Sequence, residues 1–105
     1  MNISDYFNFG SGKVRCYDFI DPKVSLSSQL DILREDMGWI NYRDGEYVID
    51  YGWKPEFDIN GEFIVYLIKD GDWDSPIKEM RTREIDIFLK NIQISIDYIN
   101  EQFQK

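Results

Sequence analysis

The sequence has no histidine and only one cysteine, Cys16, in 105 residues. Without imidazole there is no histidine metal ligand, no histidine-based catalytic triad and no histidine acid–base chemistry. One thiol forms neither an intrachain disulfide nor a multi-thiolate metal site, and Cys16 reads as a small buried hydrophobe in a reducing compartment. Positive charge is also scarce. Twelve Lys and Arg stand against twenty Asp and Glu, giving a formal net charge of -8. Such a chain repels phosphate backbones and anionic membranes and attracts basic partners, so neither direct nucleic-acid binding nor a membrane partner is expected. No apolar run approaches the roughly 20 residues of a bilayer span, and no basic region followed by an apolar run marks an export leader at the N-terminus. A cytoplasmic location is the expectation. There is no nucleophile elbow, no phosphate-binding loop and no dinucleotide fingerprint, since Gly10 and Gly12 begin no G-x-G-x-x-G. No cofactor is expected.

What is present is globular. Hydrophobic residues make up 43%, aromatics 16% and charged residues 30%, so the chain has the composition of a folded protein, and its length is that of one domain, residues 1–105. Gly10-Ser11-Gly12 signals a turn after the aromatic start Tyr6, Phe7 and Phe9. A short strand is expected over residues 13–20. Asp21-Pro22 opens a turn or helix, and Ser25 is a candidate cap for a helix over residues 25–37. In that helix Leu26, Leu30, Leu33 and Met37 recur at helical spacing, and Gly38 ends it. Trp39, just beyond, reads as core. A short strand at residues 39–42 turns at Asp44-Gly45 into a second one, with Tyr47, Ile49, Tyr51 and Trp53 on one face and Val48, Asp50 and Gly52 on the other. Lys54-Pro55 ends it, because proline has no ladder donor. After the Asn60-Gly61 turn, residues 63–69 are apolar on both faces, as in an interior strand covered by a helix on one side. Another short strand is expected near residues 77–81.

The tail is periodic. Ile85, Phe88, Leu89, Ile92, Ile96, Ile99 and Phe103 form one helical stripe, with Ile87, Ile94 and Tyr98 widening it and Thr82 a candidate cap. The expected fold is α+β: a small antiparallel or mixed sheet packed by a long C-terminal helix and a shorter helix in the N-terminal half.

Acidic charge is concentrated. Asp44, Glu46, Asp50, Glu56, Asp58, Glu62, Asp70, Asp72 and Asp74 are opposed only by Lys54 and Lys69, so residues 44–74 carry almost all of the net charge. Such a segment is either solvated loop or a docking face for a basic protein, where it speeds encounter and sets specificity. Trp53, Phe57 and Trp73 are interleaved with the acids; they cap a small core or anchor a partner. The expected contact face is Glu56, Asp58, Asp70, Asp72 and Asp74, with Trp53 or Trp73 as its anchor. Asp70, Asp72 and Asp74 do not make a calcium loop: counted from Asp70, Ser75 stands where Gly is needed and Arg81 where Glu is needed. Asp50 and Glu62 are a candidate carboxylate pair on neighbouring strands, the geometry a hydrolase would require.

The run Asp50-Tyr51-Gly52-Trp53-Lys54-Pro55-Glu56-Phe57-Asp58, followed by Gly61-Glu62-Phe63, Val65, Ile68-Lys69, Asp72-Trp73 and Pro76, resembles small immunity proteins of bacterial polymorphic toxin systems, including contact-dependent growth inhibition. The resemblance covers roughly residues 47–89. It implies a small, cytoplasmic, noncatalytic protein that binds a cognate toxin domain and occludes its active site. Many such toxins are nucleases whose basic groove would suit an acidic inhibitor. No individual residue role carries over from it. The alternatives are an acidic nucleic-acid mimic or regulatory adaptor, and a small carboxylate- or metal-dependent hydrolase, which predicts a concave pocket with at least two converging acids.

Overall fold

The computed structural model describes residues 3–16 and 19–105. Five strands form one antiparallel sheet in the order of the chain: β1 (Lys13–Cys16), β2 (Gly38–Tyr42), β3 (Tyr47–Lys54), β4 (Glu62–Lys69) and β5 (Lys78–Thr82). A single long helix, α1 (Ile85–Phe103), follows. The α+β expectation holds, with the sheet purely antiparallel. Loops explain the meander: each strand from β2 onward reaches its neighbour through a connection of at most eight residues, and antiparallel pairing needs no crossover.

Alternation divides the sheet into two faces. Ile40 opposes Ile49, which opposes Leu67, while Tyr51 opposes Val65 and Trp53 opposes Phe63, so these side chains share the face toward α1. All of them are buried, and Phe88, Ile92, Ile96 and Ile99 of α1 complete the core. Rings link the layers: Phe88 stacks on Phe63 with centroids 4.1 Å apart, and Trp53 meets Phe63 edge-on at 4.7 Å. Burial of each such side chain is worth about 1.5–3 kcal/mol, which offsets the modest helix propensity of an isoleucine-rich segment. The N-terminal residues fill the remaining part of that face. Ile3, Phe9, Phe19 and Ile20 are buried, and Phe19 lies 6.1 Å from both Tyr51 and Phe88.

Several expectations are corrected. The strand expected over residues 13–20 stops at Cys16; Tyr17 and Asp18 lie outside the described residues, and Phe19 and Ile20 are not in a strand. The helix expected over residues 25–37 is a 3-10 segment, Leu26–Ile32, kinked at Gln29. The buried Gln29 amide accepts from Asp21 N (2.8 Å) and donates to Asp21 O and Val24 O (both 3.0 Å), tying the preceding turn down, while the Ser25 hydroxyl meets those of Ser27 and Ser28 and does not cap. Gly38 does not terminate a helix; it opens β2. The α1 boundary falls later than Thr82, which ends β5 and accepts from Glu84 N through Oγ1 at 3.0 Å. Finally, Ile87 and Ile94 do not widen the buried stripe, being 38% and 40% exposed; Asn91 and Ser95 are buried instead, with Ser95 Oγ donating to Asn91 O. Tyr98 does pack inward, edge-on to Tyr47.

Among the described residues no helix lies over the opposite face of the sheet. That face carries Arg15 of β1, Trp39 and Asn41 of β2, Val48, Asp50 and Gly52 of β3, Ile64, Tyr66 and Ile68 of β4, and Glu79 and Arg81 of β5. Ile64 and Ile68 are buried but stand outside the main core cluster. No helix among the described residues is long and apolar enough to cross a membrane.

Candidate functional site

The open face of the sheet is concave, with two adjoining cavities. One, of about 650 Å³, is lined by Arg34, Asp36, Gly38, Trp39, Asn41, Val48, Asp50, Glu56 and Trp73. The other, of about 400 Å³, is lined by Glu35, Asp36, Asp50, Lys54, Tyr66, Trp73, Asp74, Pro76 and Glu79. Asp36, Asp50 and Trp73 line both. Six carboxylates and two cations thus surround three aromatic side chains, Trp39, Tyr66 and Trp73.

Each contribution follows from local structure. Strand alternation sends Trp39 away from buried Ile40, and it sends Asp50, opposite Tyr66, away from Ile49 and Tyr51. The 34–36 segment is held against the end of β3 by backbone bonds: Trp53 N donates to Arg34 O at 2.7 Å and Met37 N to Tyr51 O at 3.1 Å. Gly52 makes this possible, because a Cβ there would collide with the Glu35 carbonyl. Glu56 braces the same segment by accepting from Glu35 N at 3.0 Å. The other contributor is the β4–β5 connection, where Asp72 accepts from Ser75 N at 3.2 Å and Trp73 N donates to Gly71 O.

Electrostatically, Asp50 is the unusual group. Burial pushes its carboxyl up to about 6, the Asp36 carboxylate adds to the rise, and Lys54 opposes it. Neither Asp36 nor Asp50 takes part in an ion pair among the described residues; the charge pairs there involve Arg43 with Glu46, and Arg81 with Glu62 and Glu79. One guanidinium already lies on the aromatic floor: Arg15 Cζ is 5.7 Å from the Trp39 ring centroid. Asn41 Oδ1, beside these groups, is buried without a hydrogen-bond partner among the described residues.

The expected contact residues separate here. Trp73 is 54% exposed and lines both cavities, with Glu56 in one and Asp74 in the other. Asp58, Asp70 and Asp72 are exposed but line neither; Asp58 instead accepts from Asn60 N in the β3–β4 turn. Trp53 is corrected outright as an anchor: it is 0% exposed, packed on Phe63, with its indole N–H donating to Asp58 O at 2.8 Å. Its role is to close the end of the core. The Asp50–Glu62 pair is also overturned, because Asp50 opposes Tyr66 and Glu62 opposes Lys54, with the Glu62 carboxylate bound to Arg81 at 3.1 Å. No cluster of three or more acidic or thiol side chains suited to a metal ion occurs among the described residues, the Asp70–Asp74 run included.

Sequence reasoning missed Asp36, Glu79, Tyr66 and Trp39 as site residues. Trp39 reads as core in the sequence, yet it is half-buried on the open face. The signal for it was present in the alternation of β2 about Ile40. Asp36 and Glu79 carry no local signal, since loop packing against β3 places the first and the register of β5 the second. Compared with protein families, curated proteins and solved structures, the chain matches none of the three.

Proposed function

We propose that this chain is a noncatalytic binding protein that takes a basic toxin domain against the open face of its sheet and neutralises it by occlusion, as an immunity protein does. The observation that carries the reading is the groove: six carboxylates and three aromatic rings converge on a sheet face that no helix among the described residues covers. Aromatic anchors supply contact area at low entropic cost, and acids around them favour Lys- and Arg-rich surfaces. The net charge of -8 adds long-range attraction to the same kind of partner. The resemblance of residues 47–89 to immunity proteins points the same way.

The test is whether the pure protein binds, and inhibits, a toxin domain among the products of the genes adjoining its own. A tight one-to-one complex that abolishes toxin activity, weakened about tenfold or more by Trp73→Ala, is the expected result. Failure of the pure protein to bind that domain overturns the reading.

One observation favours a second reading, a carboxylate-dependent hydrolase. Asp36 and Asp50 converge in a cavity, and a carboxyl titrating near 6 suits a general acid. That reading requires turnover of a small substrate, abolished by Asp50→Asn. The binding reading is preferred because the acids are spread over both cavities and interleaved with aromatic rings.

A further inference from the structure

Resting on the binding reading, we infer that the centre of the groove, where Asp36 and Asp50 meet Trp39 and Trp73, is a receptor for an arginine side chain carried on an extended segment of the partner. Three features favour a guanidinium over an ammonium. First, the recess is walled by indole rings, and a planar, weakly hydrated guanidinium stacks on aromatic faces while its edge remains free for carboxylates; an ammonium is a compact, strongly hydrated point charge. Second, the face already accepts a guanidinium from its own chain, Arg15 over Trp39, so the chemistry of this floor is compatible with one. Third, Asp36 and Asp50 are both in the recess with no ion-pair partner among the described residues, and like-charge repulsion between them is part of what raises Asp50. A cation placed there relieves that repulsion and favours the ionised form of Asp50, whereas a neutral side chain leaves the charge uncompensated. The cavities, about 650 and 400 Å³, exceed what one side chain fills, so neighbouring residues of the same segment enter with it. Arg15 already over Trp39, with Lys54 and Arg34 at the margins, disfavours more than one added cation.

The probes are two blocked tripeptides, acetyl-Gly-Arg-Gly-amide and acetyl-Gly-Lys-Gly-amide, titrated into the isotopically labelled protein at pH 7.5 while the indole N–H signals are followed. The arginine peptide is expected to move the Trp39 and Trp73 signals and leave that of buried Trp53 in place. The lysine peptide is expected to bind several-fold more weakly. Asp50→Asn is expected to weaken the arginine peptide about tenfold, the value of a charge-assisted hydrogen bond, and Trp73→Ala to remove its effect on Trp39. Equal binding of the two peptides, no shift at either indole, or an unchanged titration in Asp50→Asn overturns the assignment. These outcomes are separate from the fate of the binding reading: a toxin domain held tightly by Asp50→Asn would sink the arginine receptor alone, and absence of any toxin complex would sink the binding reading.

Discussion

Asp50 carries a folding cost that the proposed binding role would explain. Its carboxyl is lifted from 3.8 to about 6 by burial and by Asp36. Below the lower value both folded and unfolded chains are protonated. As the pH rises from about 4 through 6 the unfolded chain releases its proton first, so stability falls across that window and stays lower above it; the full shift corresponds to about 3 kcal/mol, reduced to about 2 kcal/mol by solvent screening of a side chain that is only partly buried. Asp50→Asn removes the cost. Urea unfolding should therefore show the variant more stable than the wild type by about 2 kcal/mol at pH 8 and nearly equal to it at pH 3.5. A variant no more stable at pH 8 would contradict the burial cost. The two flanking tryptophans differ just as sharply. Trp53→Ala should cost about 3–5 kcal/mol, since it empties a fully enclosed site and strands the Asp58 carbonyl. Trp73→Ala should change stability by less than about 0.5 kcal/mol, because the ring is largely exposed. Reversal of that order in urea melts would refute the placement of the two rings.

At the scale of elements, the groove depends on how the 34–36 segment lies along β3. Gly52→Ala should push that segment off, costing about 1–3 kcal/mol and removing Asp36 from the recess. Loss of amide protection at Trp53, whose N–H binds Arg34 O, would register the displacement, and an unperturbed Trp53 amide would contradict it. The elements themselves were legible to different degrees for physical reasons. Tyr47–Lys54 and Glu62–Lys69 declare themselves through β-branched and aromatic residues at strand spacing, and α1 through its isoleucine stripe. The leucine spacing of residues 26–37 is equally helical on paper. It yields a kinked 3-10 segment because the Gln29 amide competes for the backbone of the preceding turn and the 34–37 backbone bonds to β3 instead of to itself. Exposure of Ile87 and Ile94 follows from a stripe that is already wide enough without them to cover β3 to β5. The site was legible only in its charge and in Trp73. Asp36, Asp50, Glu79 and Tyr66 come together through strand register and loop packing, which no local window contains.

For the whole molecule, the central claim is that the acidic, aromatic face of the sheet is where a basic partner is held, while the helical side serves the core. The net charge of -8 implies electrostatic attraction during encounter. Raising ionic strength from low to physiological should slow association with the proposed basic partner about tenfold or more, with a much smaller effect on dissociation. The most direct test is a titration of toxin inhibition with four proteins of verified stability: wild type, Trp73→Ala, the double variant Asp36→Asn/Asp50→Asn, and Ile87→Ala/Ile94→Ala on the outer face of α1. The account predicts at least a tenfold loss of inhibitory potency in the two groove variants and none in the helix variant. Full potency in both groove variants, or a loss confined to the helix variant, would contradict it.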